Sequence, residues 1–178
     1  MWKNSLKEVW SLTSHRSKPS LLRRKGDELS FSGPAFVELI RAVLDKGVPF
    51  RFKAKGISMH PFIRNGDVIT VYPLSGTSPR YGDVVAFIRP NTSTLIVHRV
   101  VGKGDDSFLI RGDNTGYFDG LIPTTNILGY VTKVERNDRE AYLGLGLERF
   151  LIAFLTRRGL LLPLLNPVRR LIRPIIKR

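Results

Sequence analysis

Serine, histidine and aspartate each occur where acyl transfer could use them. Ser58 lies in Gly56-Ile57-Ser58-Met59-His60-Pro61, His98 in Ile96-Val97-His98-Arg99-Val100, and Asp113 and Asp119 in and just after Ile110-Arg111-Gly112-Asp113-Asn114. A serine hydroxyl is a poor nucleophile at neutral pH and needs a positioned base. A neutral imidazole suits that task because its pKa lies near the operating pH. A carboxylate can then fix the imidazole tautomer and stabilise the imidazolium as it forms. Chain order alone does not establish proximity, and isolated residues of these types are usually structural. His60 is a poorer base for Ser58, because adjacent side chains on an extended segment point to opposite faces. The chain has no cysteine, which excludes disulfides, thiolate metal sites and a cysteine nucleophile. His15, His60 and His98 are too scattered for a zinc motif. The expected chemistry therefore uses no metal and no cofactor.

The elements that must position these residues are mainly β. Phe50 to Ala54, Val68 to Tyr72, Val84 to Ile88, Leu95 to Val101, Phe108 to Ile110 and Ile127 to Val134 are short β-rich runs. Turn residues such as Asn65-Gly66-Asp67 and Gly82-Asp83 separate them, and Asp67 and Asp83 read as turn formers. Strands this short and this regularly punctuated predict an antiparallel β domain. One helix precedes it, from Pro34 to Lys46. Ser32 or Gly33 can cap it, Pro34 suits its first turn, and Phe36, Leu39, Ile40, Val43 and Leu44 recur on one face. Alternation along the fourth run sends Arg99 to the face opposite His98, where a solvated position is expected.

At 178 residues the chain fits one compact domain with extensions. Residues 1–31 read as a basic arm with one short amphipathic stretch around Trp2, Leu6, Val9 and Trp10. Residues 32–138 form the central domain, with its helix at 34–46 and its β core at 50–134. Residues 139–178 read as a basic amphipathic segment, with Leu143, Leu147, Phe150, Leu151, Phe154 and Leu155 at helical spacing. The formal net charge of +14 resides in the two extensions. No acid follows Glu148, and Arg149, Arg157, Arg158, Arg169, Arg170 and Arg173 flank the apolar clusters. That composition fits an interfacial helix on an anionic membrane surface rather than a spanning one. No apolar h-region and no run of 18 apolar residues is visible, so a peripheral location on the cytoplasmic side is the default expectation.

Taken together, Gly-x-Ser-Met-x-Pro, Gly-Asp, Gly-Asp-Val-Val-Ala-Phe at 82–87, His-Arg-Val, Gly-Asp-Asn and Leu-Gly-Tyr-Val at 128–131 resemble the signal peptidase I superfamily of S24/S26-like serine peptidases. The similarity spans about residues 50–134. It implies a β-rich fold shared with self-cleaving phage and SOS repressors, and Ser58 as nucleophile. Most bacterial signal peptidases and the repressors use lysine as base. The archaeal and endoplasmic-reticulum type carries histidine in a His-Arg step, as His98-Arg99 does here. In that branch an aspartate shortly after Gly-Asp-Asn completes the site, which favours Asp119 and leaves Asp113 as the alternative.

Signal peptidases often have a serine two residues before the nucleophile. Here that position is Gly56, so oxyanion support would fall on backbone N–H groups, plausibly that of Ser58, with Met59 shaping the turn. The resulting expectation is a serine endopeptidase that cleaves a peptide or preprotein leader after small residues. The alternatives are a repressor-like DNA-binding regulator and a non-catalytic module that kept the fold. Only one well-formed helix precedes the β region, so no helix-turn-helix is evident and nucleic acid is the less expected partner.

Overall fold

The computed structural model describes residues 33–165 and 167, together with the backbone of two short strands, β1 (Arg23–Lys25) and β2 (Glu28–Ser30). The amphipathic stretch expected around Trp2 to Leu12 and the arginines beyond 167 lie outside the described residues. β1 and β2 pair antiparallel, a hairpin within the segment read from sequence as an arm.

Helix α1 (Pro34–Asp45) follows. Gly33 precedes it with φ 71°, a backbone conformation that strains any residue with a Cβ. Its carbonyl accepts from the N–H groups of Phe36 and Val37, so the helix starts without a side-chain cap. Ile40 and Leu44 are the buried stripe of α1. Phe36 meets Phe50 and Phe52 edge-on, with ring centroids 5.9 and 5.5 Å apart.

The remaining strands are β3 (Phe50–Lys53), β4 (Val68–Pro73), β5 (Val84–Ile88), β6 (Leu95–Lys103), β7 (Ser107–Arg111), β8 (Gly120–Pro123), β9 (Ile127–Arg136) and β10 (Arg139–Glu140). They form an eight-stranded antiparallel sheet in the order β3-β4-β9-β5-β6-β7-β8, with β10 also on β9. The strands expected from alternation are all present. β8 and β10 add to them: one is a short run closed by Pro123, the other the return of a tight turn after β9, and neither carries an alternating pattern.

β5 is buried along its whole length because the sheet is covered on both faces. Val84, Ala86 and Ile88 face one core with Ile40, Leu44, Met59, Ile69 and Val131. Val85 and Phe87 face a second core with Val100, Phe108, Ile110 and Ile122. Burying side chains of this size contributes roughly 1.5–3 kcal/mol each. The ladder slips between Thr70 and Val71, between Ala86 and Phe87, and between Val100 and Gly102. Such bulges bend strands and increase their local twist.

After β10 the chain forms α2 (Arg149–Arg158), which packs along β6. Gly159, in the left-handed region, ends it. Ile152 and Leu161 join Phe62 in a satellite core, and Arg157 Nη1 donates to the carbonyl of Val101 at 3.0 Å. Phe150, Leu151 and Phe154 of α2 are exposed, as are Leu143 and Leu147 just before it. No helix of the described residues is long and apolar enough to cross a membrane.

Asp67 straps the β3–β4 connection to β9. Its carboxylate accepts from Arg136 Nε and Nη2 at 2.9 and 2.7 Å and from the Arg64 N–H at 2.7 Å. Arg136 also holds the Phe62 carbonyl at 3.1 Å. Burial pushes the Asp67 carboxyl up, but the Arg136 hydrogen bonds and the Arg64 N–H outweigh it and hold the group below the usual carboxylate range. A depressed folded-state pKa adds stability above the unfolded pKa, and that stability is lost as pH falls through the folded value. Asp67→Ala should therefore lower unfolding free energy by about 2 kcal/mol at pH 7. In urea melts the gap from wild type should shrink below about pH 4. A pH-independent gap would contradict this account.

Candidate active site

Between β3 and β4 the chain makes the turn that carries Ser58. The turn closes on itself: Ala54 donates to Asp67 O at 2.7 Å, Gly66 to Ala54 O at 2.8 Å, and Gly56 to Asn65 Oδ1 at 3.0 Å. Gly56 sits at φ 94° and its N–H is committed to Asn65. Met59 points inward to the first core, beside Ile63, and also lines the cleft in front of Ser58. Ser58 is half-buried. Its carbonyl accepts the Asn114 N–H at 2.7 Å, and Asn114 Nδ2 donates to Ile57 O at 3.0 Å. The Gly-Asp-Asn turn thus clasps the Ser-Met turn from the side.

His98 lies buried on β6 and directs Nδ1 at Asp119 Oδ2, 2.6 Å away. An ionised carboxylate only accepts, so Nδ1 carries the proton and Nε2 is left with a lone pair in the neutral ring. Asp119 stands in the β7–β8 loop with its side chain 1% exposed. Its backbone N–H donates to Ile110 O, and Arg89 Nη2 reaches its Oδ1 at 3.3 Å. A Cβ built on Gly112 would stand 2.8 Å from Ser58 O and 2.9 Å from His98 Nε2. The free face of the imidazole therefore abuts the Ser58 turn. Ser58 and His98 line one cleft of about 1010 Å³. Ser58 Oγ and Nε2 make no direct hydrogen bond; such bonds often tighten only when substrate binds.

Asp113, the rival third member, is engaged elsewhere. Arg99 holds it bidentately, Nε to Oδ1 at 2.8 Å and Nη2 to Oδ2 at 2.7 Å. Thr156 Oγ1 of α2 adds a bond to Oδ1 at 3.2 Å. Arg99 Nη1 reaches the carbonyls of Gly82 and Gly144 at 2.8 and 2.9 Å. The expectation of a solvated Arg99 is thus overturned. Alternation does send it to the face opposite His98, but α2 and the 141–148 segment cover that face, and a carboxylate and two carbonyls take its protons. Among the described residues no cluster of His, Cys, Asp or Glu could hold a metal ion.

A family profile described as Peptidase S24-like matches residues 29–132, and the chain belongs to that family. The match covers Ser58, His98 and Asp119 and ends before α2. Membership makes this a peptidase-like or repressor-like chain. No curated protein matches it.

Sequence reasoning did not single out Gly112, Asn114 or Arg89. The first two sit inside the Gly-Asp-Asn motif, so the motif itself was the available signal. Arg89 belongs to no motif. Gly112 must lack a side chain, because a Cβ would crowd the Ser58 carbonyl, the Thr115 methyl at 2.8 Å and His98 Nε2. Gly112→Ala should displace Ser58 from His98 and lower the rate of Ser58 acylation by an active-site phosphonate by roughly 100-fold. An unchanged rate would show that the two turns tolerate separation.

Proposed function

We propose that this protein is a serine endopeptidase of the histidine-using branch, with Ser58 as nucleophile, His98 as general base and Asp119 as the group that orients His98. The observation that carries the reading is the 2.6 Å contact between His98 Nδ1 and Asp119 Oδ2, on a ring whose other nitrogen abuts the Ser58 turn. The His98-Arg99 step supports the branch, and the commitment of Asp113 to Arg99 supports Asp119 over Asp113.

In this mechanism Ser58 Oγ attacks the scissile carbonyl carbon as Nε2 accepts its proton. The oxyanion of the tetrahedral intermediate is met by the backbone N–H of Ser58, which has no hydrogen-bond acceptor among the described residues. Gly56 is a poorer donor because Asn65 occupies its N–H. Collapse breaks the C–N bond, and the imidazolium returns its proton to the leaving amine. Water, deprotonated by the same nitrogen, then hydrolyses the Ser58 ester and frees the acid. The substrate enters as an extended strand. β3 is a sheet edge, and residues 95–98 of β6 are paired with β5 alone, because β7 ends at Arg111, opposite Arg99. Both flank the cleft, so their unpaired backbone groups are available to a peptide. By resemblance, the bond cut follows small residues of a leader or preprotein.

The exposed leucines and phenylalanines around α2 adjoin Arg149 and Arg158, whose guanidinium groups lie 4.9 and 5.3 Å from the Phe150 and Phe154 rings. This is the surface by which the enzyme docks on anionic lipid. The double variant Leu147→Asp, Leu151→Asp should abolish co-sedimentation of the full chain with phosphatidylglycerol vesicles. Undiminished sedimentation would reject α2 as the docking face.

For the chemistry, Ser58→Ala and His98→Ala should each lower kcat/KM on a small-residue leader peptide by at least about a thousand-fold. Asp119→Asn should lower it by roughly 100-fold or more. Cleavage by Ser58→Ala at the wild-type rate would reject the assignment. Strong salt-sensitive binding to duplex DNA with no cleavage would favour the repressor-like reading instead.

A further inference from the structure

The cleft has a one-sided charge. Its floor is aromatic, from Phe36, Phe50 and Phe52, and cations surround it: Arg51, Lys53, Lys55, Arg64 and Arg89. Among the described residues no aspartate or glutamate lines it. Arg51 is neutralised by Glu135 at 2.8 Å. Lys55 makes no ion pair with another described residue. Among the described residues the Arg64 side chain makes one hydrogen bond, to the Pro61 carbonyl at 3.4 Å, and its charge also acts on Asp67. Arg89 touches Asp119 through one nitrogen at 3.3 Å while its side chain remains 45% exposed, so a guanidinium with five donors has most of them free for a further acceptor. Lys55 and Arg64 stand near the neck of the Ser58 turn, where the Gly56 N–H meets Asn65, and Arg89 stands beside the His98–Asp119 pair. Positive charge thus lies near both the serine and the histidine of the cleft.

Resting on the peptidase reading above, we propose that the cleft selects an acidic peptide segment, with carboxylates flanking the apolar or small residues at the scissile bond, and that Lys55, Arg64 and Arg89 determine this specificity.

Binding to the full-length Ser58→Ala variant tests this without requiring turnover. The probes are fluorescein-labelled extended peptides, identical except for Glu, Gln or Lys on each side of an Ala-Ala step, read by anisotropy. The Glu peptide should bind about five-fold more tightly than the Gln peptide, and the Lys peptide more weakly than both. The Glu advantage should fade at 0.5 M salt. Adding Lys55→Gln, Arg64→Gln and Arg89→Gln should bring the Glu-to-Gln ratio near one, whereas Arg80→Gln with Lys103→Gln, remote from the cleft, should preserve it. Equal binding of all three peptides, or a preference that survives the cleft substitutions, overturns the proposal. Displacement of the Glu peptide by a single-stranded oligonucleotide at lower concentration than by unlabelled peptide would also overturn it, in favour of a nucleic-acid cleft. Acid-selective binding without cleavage by the wild-type chain would instead reject the peptidase reading and leave the specificity intact.

Discussion

A fully buried guanidinium organises this domain. Arg99 has no access to water, and a charge in that position is tolerated only when it is paired and hydrogen-bonded. Asp113 supplies two, and the carbonyls of Gly82 and Gly144 supply others. These partners tie β6 to three other parts of the chain: the β4–β5 connection, the Gly-Asp-Asn turn and the segment before α2. Breaking such a pair typically costs about 3–5 kcal/mol. Because Arg99 follows His98 directly, whatever fixes one fixes the strand that presents the other. Because Asp113 sits between Gly112 and Asn114, the same ion pair holds the turn that grips Ser58.

That arrangement separates two duties that the sequence places side by side. One carboxylate, Asp113, completes the buried scaffold on one face of β6. Another, Asp119, meets the histidine on the other face. The period of two along a strand makes this possible, since neighbouring residues serve opposite sides of the sheet. It also explains why the C-terminal segment bears on the site. Thr156 of α2 bonds Asp113, and Gly144 bonds Arg99. Glu148 holds the 144–146 turn through the N–H groups of Gly144 and Gly146, and its carboxyl is held below its ordinary range, first by the Gly144 hydrogen bond. A surface that contacts α2 is therefore mechanically continuous with the strand of His98.

Much of this was legible in the residues. Alternation and turn chemistry foretold the main strands, and Pro34 with Gly33 marked the start of α1. Ser58 and His98 stand out as candidates because their local contexts are distinctive. The role of Arg99 was not legible, because a charged residue in an alternating strand reads as exposed unless its partners are known. Those partners lie as far as 45 positions away in sequence. Arg89 was hidden for a similar reason: it meets Asp119 across 30 positions with no motif around it. The choice between Asp113 and Asp119 rested on spacing alone. The proposal of Asp119 draws on something no spacing could give, namely that Asp113 is held by Arg99.

The central claim is that Ser58 is made nucleophilic by His98. The most direct measurement is the mass of the intact protein after reaction with a fluorophosphonate, followed by mapping of the modified peptide. A single adduct on Ser58 that forms in the wild type and fails to form in His98→Ala is the predicted result. An adduct that forms equally fast without His98, or that maps to another residue, would contradict it.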